Sequence, residues 1–297
     1  MTIIPPNLSE YLTEFESSEV QRLCSYLSLE NPQLEGIWYL LDMVWDEMKL
    51  DNRKVKPQEL QAYYSHPVWI INGLFIENDP ESKGHRSSIS SWINKEYQTA
   101  RILDYGGGFS TLSRIIASEN PRIYIDVLEP YAHRFVIEIS KPYQNIKFIQ
   151  KVDYSEYDCA LVIDVLEHIF NPVEEISKLA NSIKLGGYMI VANHFYPSIK
   201  CHLPCTFYLR YSFEQVVEEF GFQIIGSCFG SHAQIFKKVA NININPQQIL
   251  WIKIKARINT SFIKLENLWQ SVSKYIEKQV KKIKRKIKSV LTHTNPQ

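Results

Sequence analysis

The spacing of hydrophobic and polar residues divides the chain into three regions. In residues 1–95, apolar side chains recur every three or four positions, which predicts a helical cap. In residues 96–240, short apolar runs alternate with helical stretches. In residues 241–297, a linker containing Asn and Pro precedes a long amphipathic segment. We therefore expect a helical N-terminal domain, a central α/β domain and a C-terminal helix.

The central region predicts a Rossmann-like, doubly wound and mostly parallel sheet. The predicted strands are Arg101–Leu103, Ile123–Leu128, Ile146–Ile149, Cys159–Ile163 and Tyr188–Ala192, and the predicted helices are Thr111–Ser118, Tyr131–Ile139 and Val173–Ile183. We expect Gly186 and Gly187 to close the last helix. Alternating strands and helices are typical of α/β folds with helices on both faces. Two further strand-like runs, Phe222–Ser227 and Ala233–Lys238, are joined by too few residues for a crossover helix, so they should pair antiparallel.

The C-terminal segment differs from the rest of the chain in both pattern and charge. Its apolar residues form one helical stripe: Phe262, Leu265, Trp269, Val272, Ile276, Val280, Ile283, Ile287 and Val290. Residues 250–297 contain 12 Lys and Arg against two Glu, a net charge of +10, whereas residues 1–249 carry a net −9. This stripe beside a cationic face favours contact with an anionic membrane surface over RNA, because only Tyr275 accompanies the basic residues. The alternative is a helix that packs its stripe on the body of the protein or on another subunit while its lysines stay solvated.

Composition indicates a folded protein of a reducing compartment. The 297 residues are 45% hydrophobic and 12% aromatic, which is ample for a core. The five cysteines are widely spaced and follow no signal segment, so we expect a cytoplasmic protein. No apolar run approaches the roughly 20 residues of a membrane-spanning helix. The protein is thus expected to be soluble or peripheral to a membrane.

One short segment carries the strongest chemical signal. Residues Arg101–Thr111 read RILDYGGGFST, in which Asp104 ends an apolar run just before Gly106, Gly107 and Gly108. Such a turn presents backbone N–H groups to a ligand. The carboxylate would repel a pyrophosphate but would pair with an ammonium group. A ligand that combines an amino acid with a nucleoside fits this corner best.

The central region resembles the class I S-adenosylmethionine-dependent methyltransferases, and among them the small-molecule enzymes that include the ubiquinone O-methyltransferases. Four motifs in the family's order carry the resemblance: LDYGGG, IDVLEP, KVDYSEYDCALVIDVLEHI and IKLGGYMIV. The resemblance implies S-adenosylmethionine as the cofactor. It also implies methyl transfer, by in-line displacement, to a small-molecule acceptor that is phenolic, a sugar or lipid-linked.

The same resemblance assigns residues to the cofactor. Asp104 would hold its amino group beside Gly106, Gly107 and Gly108. Glu129 ends the second strand, where a carboxylate can accept two hydrogen bonds from the ribose hydroxyls. Asp126 is the alternative, but the alternation of the strand places it inside the sheet.

Four further residues are expected around the cofactor. In the resembling family, an acid at Asp153 meets the adenine amino group and Tyr154 covers the ring. The alternative for Asp153 is a solvated turn residue. Asp164 and Val165 end the fourth strand beside the cofactor.

Three histidines are candidates for catalysis. His168 belongs to the LEH element, to which the resemblance assigns pocket shaping or proton removal; local hydrogen bonding with Glu167 is the alternative. His194 and His202 follow the fifth strand, and open parallel sheets bind ligands beyond that edge. A histidine has a pKa suited to deprotonating an acidic hydroxyl. His194 is the first candidate base and His202 the second, although a loop histidine can equally be a solvated surface group. Tyr63, Tyr64 and His66 of the cap could close over this site.

Other functions are disfavoured by what the motifs lack. Cys201, His202 and Cys205 have no second Cys/His pair at zinc-site spacing, so no metal is predicted. DVLEH stands where DNA amino-methyltransferases carry an Asn/Asp-Pro-Pro-Tyr/Phe motif, which disfavours nucleic acid as substrate. Thr111 replaces the third glycine of a dinucleotide fingerprint. The remaining alternative to an enzyme is a non-catalytic fold of the same type whose C-terminal helix binds a membrane or RNA.

Overall fold

The computed structural model describes residues 5–27, 32–152, 154 and 156–293. Ahead of the sheet lie a short 3-10 helix, Pro6–Tyr11, and the helices α1 Glu14–Cys24, α2 Leu34–Glu47, α3 Pro57–Tyr64, α4 Val68–Asn78 and α5 Pro80–Glu96. Thr13 begins α1 with a capping box, because its hydroxyl accepts the Glu16 N–H and the Glu16 carboxylate accepts the Thr13 N–H. Helices α1 to α4 pack around Trp45 and Tyr63, whose rings meet edge to face with centroids 5.0 Å apart.

The sheet has seven strands in the order β3-β2-β1-β4-β5-β7-β6. Their bounds are β1 Ala100–Tyr105, β2 Ile123–Leu128, β3 Ile146–Phe148, β4 Tyr157–Ile163, β5 Ile183–Ala192, β6 Phe222–Ser227 and β7 Gln234–Lys238. Strands β1 to β5 pair in parallel, and β7 pairs antiparallel with both β5 and β6. The predicted Rossmann-like sheet with an antiparallel C-terminal hairpin is therefore confirmed.

Helices cover both faces of the sheet. The connecting helices are α6 Thr111–Glu119, α7 Arg134–Ser140, α8 Pro172–Ser182 and α9 Phe213–Glu219. On one face, α5 and α6 bury apolar side chains against β1, β2, β4 and β5. On the other face, α8, α9 and the start of the last helix, α10 Pro246–His293, share a core with the same strands. The N-terminal cap and the C-terminal helix thus both contribute to the packing of the central sheet.

Two predicted helix boundaries were wrong. Helix α8 ends at Ser182, and Gly187 lies inside β5, where a Cβ would come within 2.7 Å of the Asp158 carbonyl oxygen; the glycine therefore permits close strand pairing instead of closing the helix. Helix α7 begins at Arg134 and not at Tyr131, because the Glu129 carboxylate accepts the Tyr131 N–H at 3.0 Å and holds the chain in a turn.

Helix α10 changes its environment along its length. Its first turns are anchored to the body by buried Ile252, Ala256 and Thr260 and by a Lys253–Glu174 ion pair of 2.7 Å. Beyond Thr260 the apolar side chains that the structure describes are exposed, except for the half-buried Ile263. Among the described residues, no helix combines the length and the apolar composition needed to cross a membrane.

Candidate functional site

The glycine turn forms a tight corner between β1 and α6. Gly106 and Gly108 have φ angles of +71° and +52°, a region that glycine adopts without strain. A Cβ on Gly107 would lie 2.8 Å from both Asp104 Oδ2 and Val127 Cγ1, whereas a Cβ on Gly108 would meet nothing within 4 Å. The corner is therefore closed towards the sheet and open at Gly108, where a ligand can approach bare backbone.

Asp104 is a buried carboxyl under this corner. Only 4% of the residue is exposed, and Oδ2 accepts a hydrogen bond from the Ser113 hydroxyl at 2.5 Å. Burial raises its pKa to about 6, against the lowering effect of Ser113 and of the Arg86 charge. A ligand ammonium group would supply the counter-charge that this position lacks.

Glu129 points into the same corner from the end of β2. Its Oε2 accepts the Gly108 N–H at 2.8 Å, and its Oε1 accepts the Tyr131 N–H. Partial burial raises its pKa. Each carboxylate oxygen keeps a second lone pair, so both can still accept hydroxyl donors from a sugar. The alternative acid, Asp126, is buried within the sheet and paired with Arg101 at 2.7 Å, which leaves Glu129 as the acid at the corner.

The other predicted cofactor residues lie around this corner in different ways. Val165 packs over Gly106, where a Cβ would come within 2.6 Å of its Cγ2. Asp164 has a left-handed backbone (φ +55°), and its side chain is exposed at the carboxyl edge of β4. Tyr154 is 74% exposed, and Asp153 lies outside the described residues.

Arg86 is a residue of the site that the sequence analysis missed. It projects from α5, and its positive charge acts on both Asp104 and Asp164. Its Nη1 donates to the Ser82 carbonyl at 3.1 Å. No motif surrounds Arg86 in the sequence. Its position at the site follows only from the packing of the N-terminal helices.

The three candidate catalytic histidines come together beside the corner. The ring centroids of His168 and His202 are 4.9 Å apart, and those of His194 and His202 are 5.6 Å apart. His168 follows β4, whereas His194 and His202 follow β5, so adjacent parallel strands bring the two segments to one edge. This histidine cluster, His168, His194 and His202, is the second half of the candidate site.

The members of the histidine cluster differ in their environment. Burial lowers the pKa of His168 to about 3 and that of His202 to about 4, so both are neutral at physiological pH. His194 is exposed, and its Nε2 lies 2.7 Å from the Ser198 hydroxyl. Partial burial also lowers its pKa. Of the three, His194 is the one that can exchange a proton directly with solvent.

Tyr64 joins the two halves of the site. Its ring stacks on Tyr131 with a centroid distance of 5.9 Å, and it also meets His168 edge to face at 6.0 Å. Tyr131 follows Glu129 by two residues, so one cap side chain touches both the cofactor corner and the histidine cluster. The Tyr64 hydroxyl is buried without a hydrogen-bond partner among the described residues, as is the Trp69 indole N–H, whose ring lies 6.3 Å from that of His168.

Two other cap residues considered for closure face elsewhere. The Tyr63 hydroxyl donates to the Leu41 carbonyl at 3.1 Å inside the cap core. His66 Nε2 lies 3.4 Å from Glu19 Oε1 of α1, so this side chain also points into the cap. Of the three cap residues considered, Tyr64 is the one that borders the histidine cluster.

Comparison with known proteins places these features in a family. The model of a family described as a methyltransferase domain matches residues 77–227, half of the chain. No curated protein sequence matches the chain.

Solved structures of the same architecture include an O-methyltransferase family protein from Burkholderia thailandensis, which is 13% identical with a TM-score of 0.50; the match covers 82% of this chain and 89% of that one. This likeness agrees with the fold described above.

Two other similar structures have lower TM-scores. The 1,6-didemethyltoxoflavin N1-methyltransferase of Burkholderia thailandensis, solved with S-adenosylhomocysteine, is 12% identical over 64% of this chain and 94% of that one, with a TM-score of 0.45. The [4+2]-cyclase SpnF is 15% identical over 46% of this chain, with a TM-score of 0.36, and this chain spans 57% of its length.

Proposed function

Since the chain belongs to the methyltransferase domain family, we propose that it transfers the methyl group of S-adenosylmethionine to a hydroxyl group of a small-molecule acceptor. S-adenosylmethionine is its cofactor. A phenolic, sugar or lipid-linked hydroxyl is the acceptor class that we infer from the histidine cluster. The position of Tyr64 carries this proposal: its ring meets His168 of the histidine cluster and also Tyr131, whose N–H donates to Glu129 at the glycine corner. Methyl transfer needs donor and acceptor side by side.

The proposed reaction is an in-line displacement at the sulfonium methyl group. A C–O bond forms as the C–S bond breaks, and the electron pair of the C–S bond goes to sulfur, which becomes the neutral thioether of S-adenosylhomocysteine. The hydroxyl proton leaves towards the exposed His194 and then to solvent. The protein's main tasks are alignment of the two reactants and exclusion of water.

The residues of the corner have separate roles in this proposal. Asp104 pairs with the ammonium group of the cofactor, and the glycine turn lets its amino-acid end approach the backbone. Glu129 accepts the two ribose hydroxyls while it keeps its hydrogen bonds to the turn. The positive charge of Arg86 lowers the pKa of Asp104 and of Asp164, and so favours their ionised forms.

Calorimetry with S-adenosylhomocysteine tests the cofactor site. We expect wild-type protein to bind one molecule per chain, and Asp104→Ala and Glu129→Gln to lower the affinity at least about tenfold each, the equivalent of one charge-assisted hydrogen bond. Glu138→Gln is the matched control, because Glu138 makes only a surface ion pair with Lys141. Absence of binding by the wild-type chain would refute the proposal.

A turnover screen tests the acceptor class. S-adenosylhomocysteine release should depend on an added phenolic, sugar or lipid-linked hydroxyl compound, and Tyr64→Ala should reduce this release. The same compounds with the hydroxyl group replaced by hydrogen are the control. Turnover that persists with those analogues would exclude oxygen as the methylated atom.

We also propose that helix α10 brings the enzyme to an anionic membrane surface. The stripe residues from Phe262 to Ile276 are exposed, with Phe262 67% and Trp269 74% accessible, so this part of the stripe has no partner in the described part of the chain. At 1.5 Å per residue, the segment from residue 261 to residue 293 extends for about 50 Å. The sequence from 278 to 288 contains seven Lys and Arg and no acid, and each such charge near an anionic lipid contributes about 1 kcal/mol.

Charge favours a lipid surface over a second copy of the same helix. Two paired helices would bring the seven positive charges of each chain close together, which opposes self-association. An anionic bilayer accepts the apolar stripe and neutralises the charges at once. This role is compatible with catalysis on a lipid-linked acceptor.

Vesicle co-sedimentation tests the membrane proposal. The full chain should pellet with phosphatidylserine vesicles and not with phosphatidylcholine vesicles, and the double variant Phe262→Ser, Trp269→Ser should lose this binding. Asn267→Ser, also on the exposed part of the helix but off the stripe, is the matched control. Equal sedimentation of the double variant and the wild type would contradict the proposal. A wild-type protein that forms a dimer and does not pellet with phosphatidylserine vesicles would contradict it as well.

A further inference from the structure

Beside the cofactor corner, three side chains with metal-binding atoms converge. Glu167, His168 and His202 each offer one ligand atom, and these three atoms lie within 4.8 Å of one another. Glu167 and His168 come from the 3-10 helix that follows β4, and His202 from the loop after β5. Glu167 and His202 are 0% and 6% exposed, so the cluster is shielded from bulk water.

Both histidines are held in the form that binds metals. His168 Nδ1 lies 3.2 Å from the Cys201 carbonyl oxygen, and His202 Nδ1 lies 2.7 Å from the Tyr196 carbonyl oxygen. A carbonyl can only accept, so the proton is on Nδ1 in each ring, and each Nε2 carries a free lone pair. Metal-binding histidines commonly show this arrangement, in which the second ring nitrogen donates to a backbone carbonyl.

Glu167 provides a second observation that points to a cation ligand. Its Oε1 accepts the His194 N–H at 2.6 Å, but its buried Oε2 has no hydrogen-bond partner among the described residues. A buried carboxylate oxygen without a donor or a cation is costly.

We propose that Glu167, His168 and His202 bind one divalent first-row transition-metal cation, with Zn²⁺ as the reference ion. Two imidazole nitrogens and one carboxylate form a donor set of catalytic zinc sites, which leave a further coordination position open. Mg²⁺ and Ca²⁺ prefer all-oxygen ligands and are disfavoured. Tetrahedral bonds of about 2.0–2.1 Å require ligand atoms about 3.3 Å apart, so the side chains must close in by small rotations.

This proposed metal site differs from the sequence prediction that no metal is bound. That prediction compared Cys201, His202 and Cys205, which are neighbours in the chain. In the structure Cys205 is exposed, with its thiol 3.9 Å from the Phe170 carbonyl oxygen. The partners of His202 are instead the Glu167–His168 pair, about a tenth of the chain away.

The site would deepen the proposed function, on which this step rests, by activating the acceptor. A hydroxyl oxygen in the open coordination position would lose its proton near neutral pH, through His194 to solvent as above, because the cation would stabilise the resulting anion. That oxygen then forms the C–O bond while sulfur takes the electron pair of the breaking C–S bond. The unpartnered Tyr64 hydroxyl and Trp69 N–H are donors available to the acceptor on the cap side.

Cobalt titration of the chelator-treated full chain tests the site without any cofactor or acceptor. We expect one Co²⁺ per chain, seen by its visible d–d absorption, and competition by Zn²⁺ but not by millimolar Mg²⁺. Glu167→Gln and His202→Ala should each weaken Co²⁺ binding about 100-fold or more, which exceeds the loss typical when a residue that only hydrogen-bonds to a metal ligand is replaced. Cys205→Ser and His133→Gln, a histidine paired with Glu16 far from the site, are controls and should bind normally.

The outcomes separate this proposal from the proposed function. S-adenosylhomocysteine binding at wild-type affinity shows that each variant is folded. Wild-type protein that binds S-adenosylhomocysteine but no stoichiometric Co²⁺ would overturn the metal site and leave the methyltransferase proposal standing. Unchanged Co²⁺ binding in both folded Glu167→Gln and His202→Ala would also overturn it, because neither side chain would then be a metal ligand.

Discussion

Replacing Asp104 by Asn should stabilise the cofactor-free protein and abolish cofactor binding. The carboxyl is 4% exposed, and burial raises its pKa from 3.8 to about 6. A difference of about two pKa units corresponds to about 3 kcal/mol at 1.4 kcal/mol per unit. This free energy is the upper bound of what the buried charge costs the folded state at neutral pH.

The pH dependence of stability follows from the direction of this shift. Between about pH 4 and pH 6, the folded state keeps a proton on Asp104 that the unfolded state has already lost. The free energy of unfolding therefore falls as pH rises through this window and loses nothing more from Asp104 above it. Asp104→Asn lacks this loss, so its advantage over the wild type should grow by about 1 kcal/mol from pH 5 to pH 8, and reach about 3 kcal/mol.

Urea unfolding of wild type and variant at pH 5, 6, 7 and 8, without cofactor, measures this difference. Ser113→Ala supplies a graded comparison, because it removes the hydrogen bond that lowers the Asp104 pKa. S-adenosylhomocysteine should bind the wild type less tightly as pH falls below about 6, since its ammonium group needs the ionised carboxylate. This reasoning would be refuted if Asp104→Asn were less stable than the wild type at pH 8. It would also be refuted if the difference in free energy of unfolding did not change with pH.

Three further predictions concern the same corner and the sheet behind it. Gly107→Ala should lower the free energy of unfolding in urea more than Gly108→Ala, because a Cβ on Gly107 would lie 2.8 Å from Asp104 Oδ2, whereas a Cβ on Gly108 would meet nothing within 4 Å and cost only about 1 kcal/mol of backbone strain; equal effects would contradict the geometry. Arg86→Gln should shift the pH midpoint of S-adenosylhomocysteine binding upward, as the Arg86 charge lowers the Asp104 pKa; an unchanged midpoint would exclude this coupling. Lys238→Met should lower the free energy of unfolding by about 1–3 kcal/mol in urea, because two buried backbone carbonyls lose their Nζ donor, and a neutral result would count against that role.

Much of the fold could be predicted because its signals are local. The strand–turn–helix at Asp104 and the short link before β7 depend on hydrophobic period and turn chemistry, which neighbouring residues encode. The parallel sheet and the antiparallel hairpin were confirmed. The error at Gly187 arose because a distant group, the Asp158 carbonyl, decides the structure there. The error at the start of α7 arose because the Glu129 side chain, two residues before Tyr131, accepts a backbone N–H, which hydrophobic period does not indicate.

Only part of the candidate site could be predicted from such local signals. Asp104 and Glu129 stand at strand ends, where the order of a parallel sheet makes their meeting predictable, and their binding roles stay a prediction. Arg86 and Tyr64 reach the site from cap helices whose packing no short motif reports. The histidines at 168 and 202 were identified singly and not as partners of Glu167.

The sequence by itself determined which elements form, where the glycine corner lies and which charge the C-terminal helix carries, because these depend on residues a few positions apart. Only the tertiary structure decided that Asp104 is buried, that His168 and His202 are neutral, and that one buried oxygen of Glu167 has no partner among the residues that the structure describes. Burial removes water, and the segments that exclude water from a side chain come from distant parts of the chain. Solvation, and with it the protonation state of the site, is therefore a property of the folded molecule.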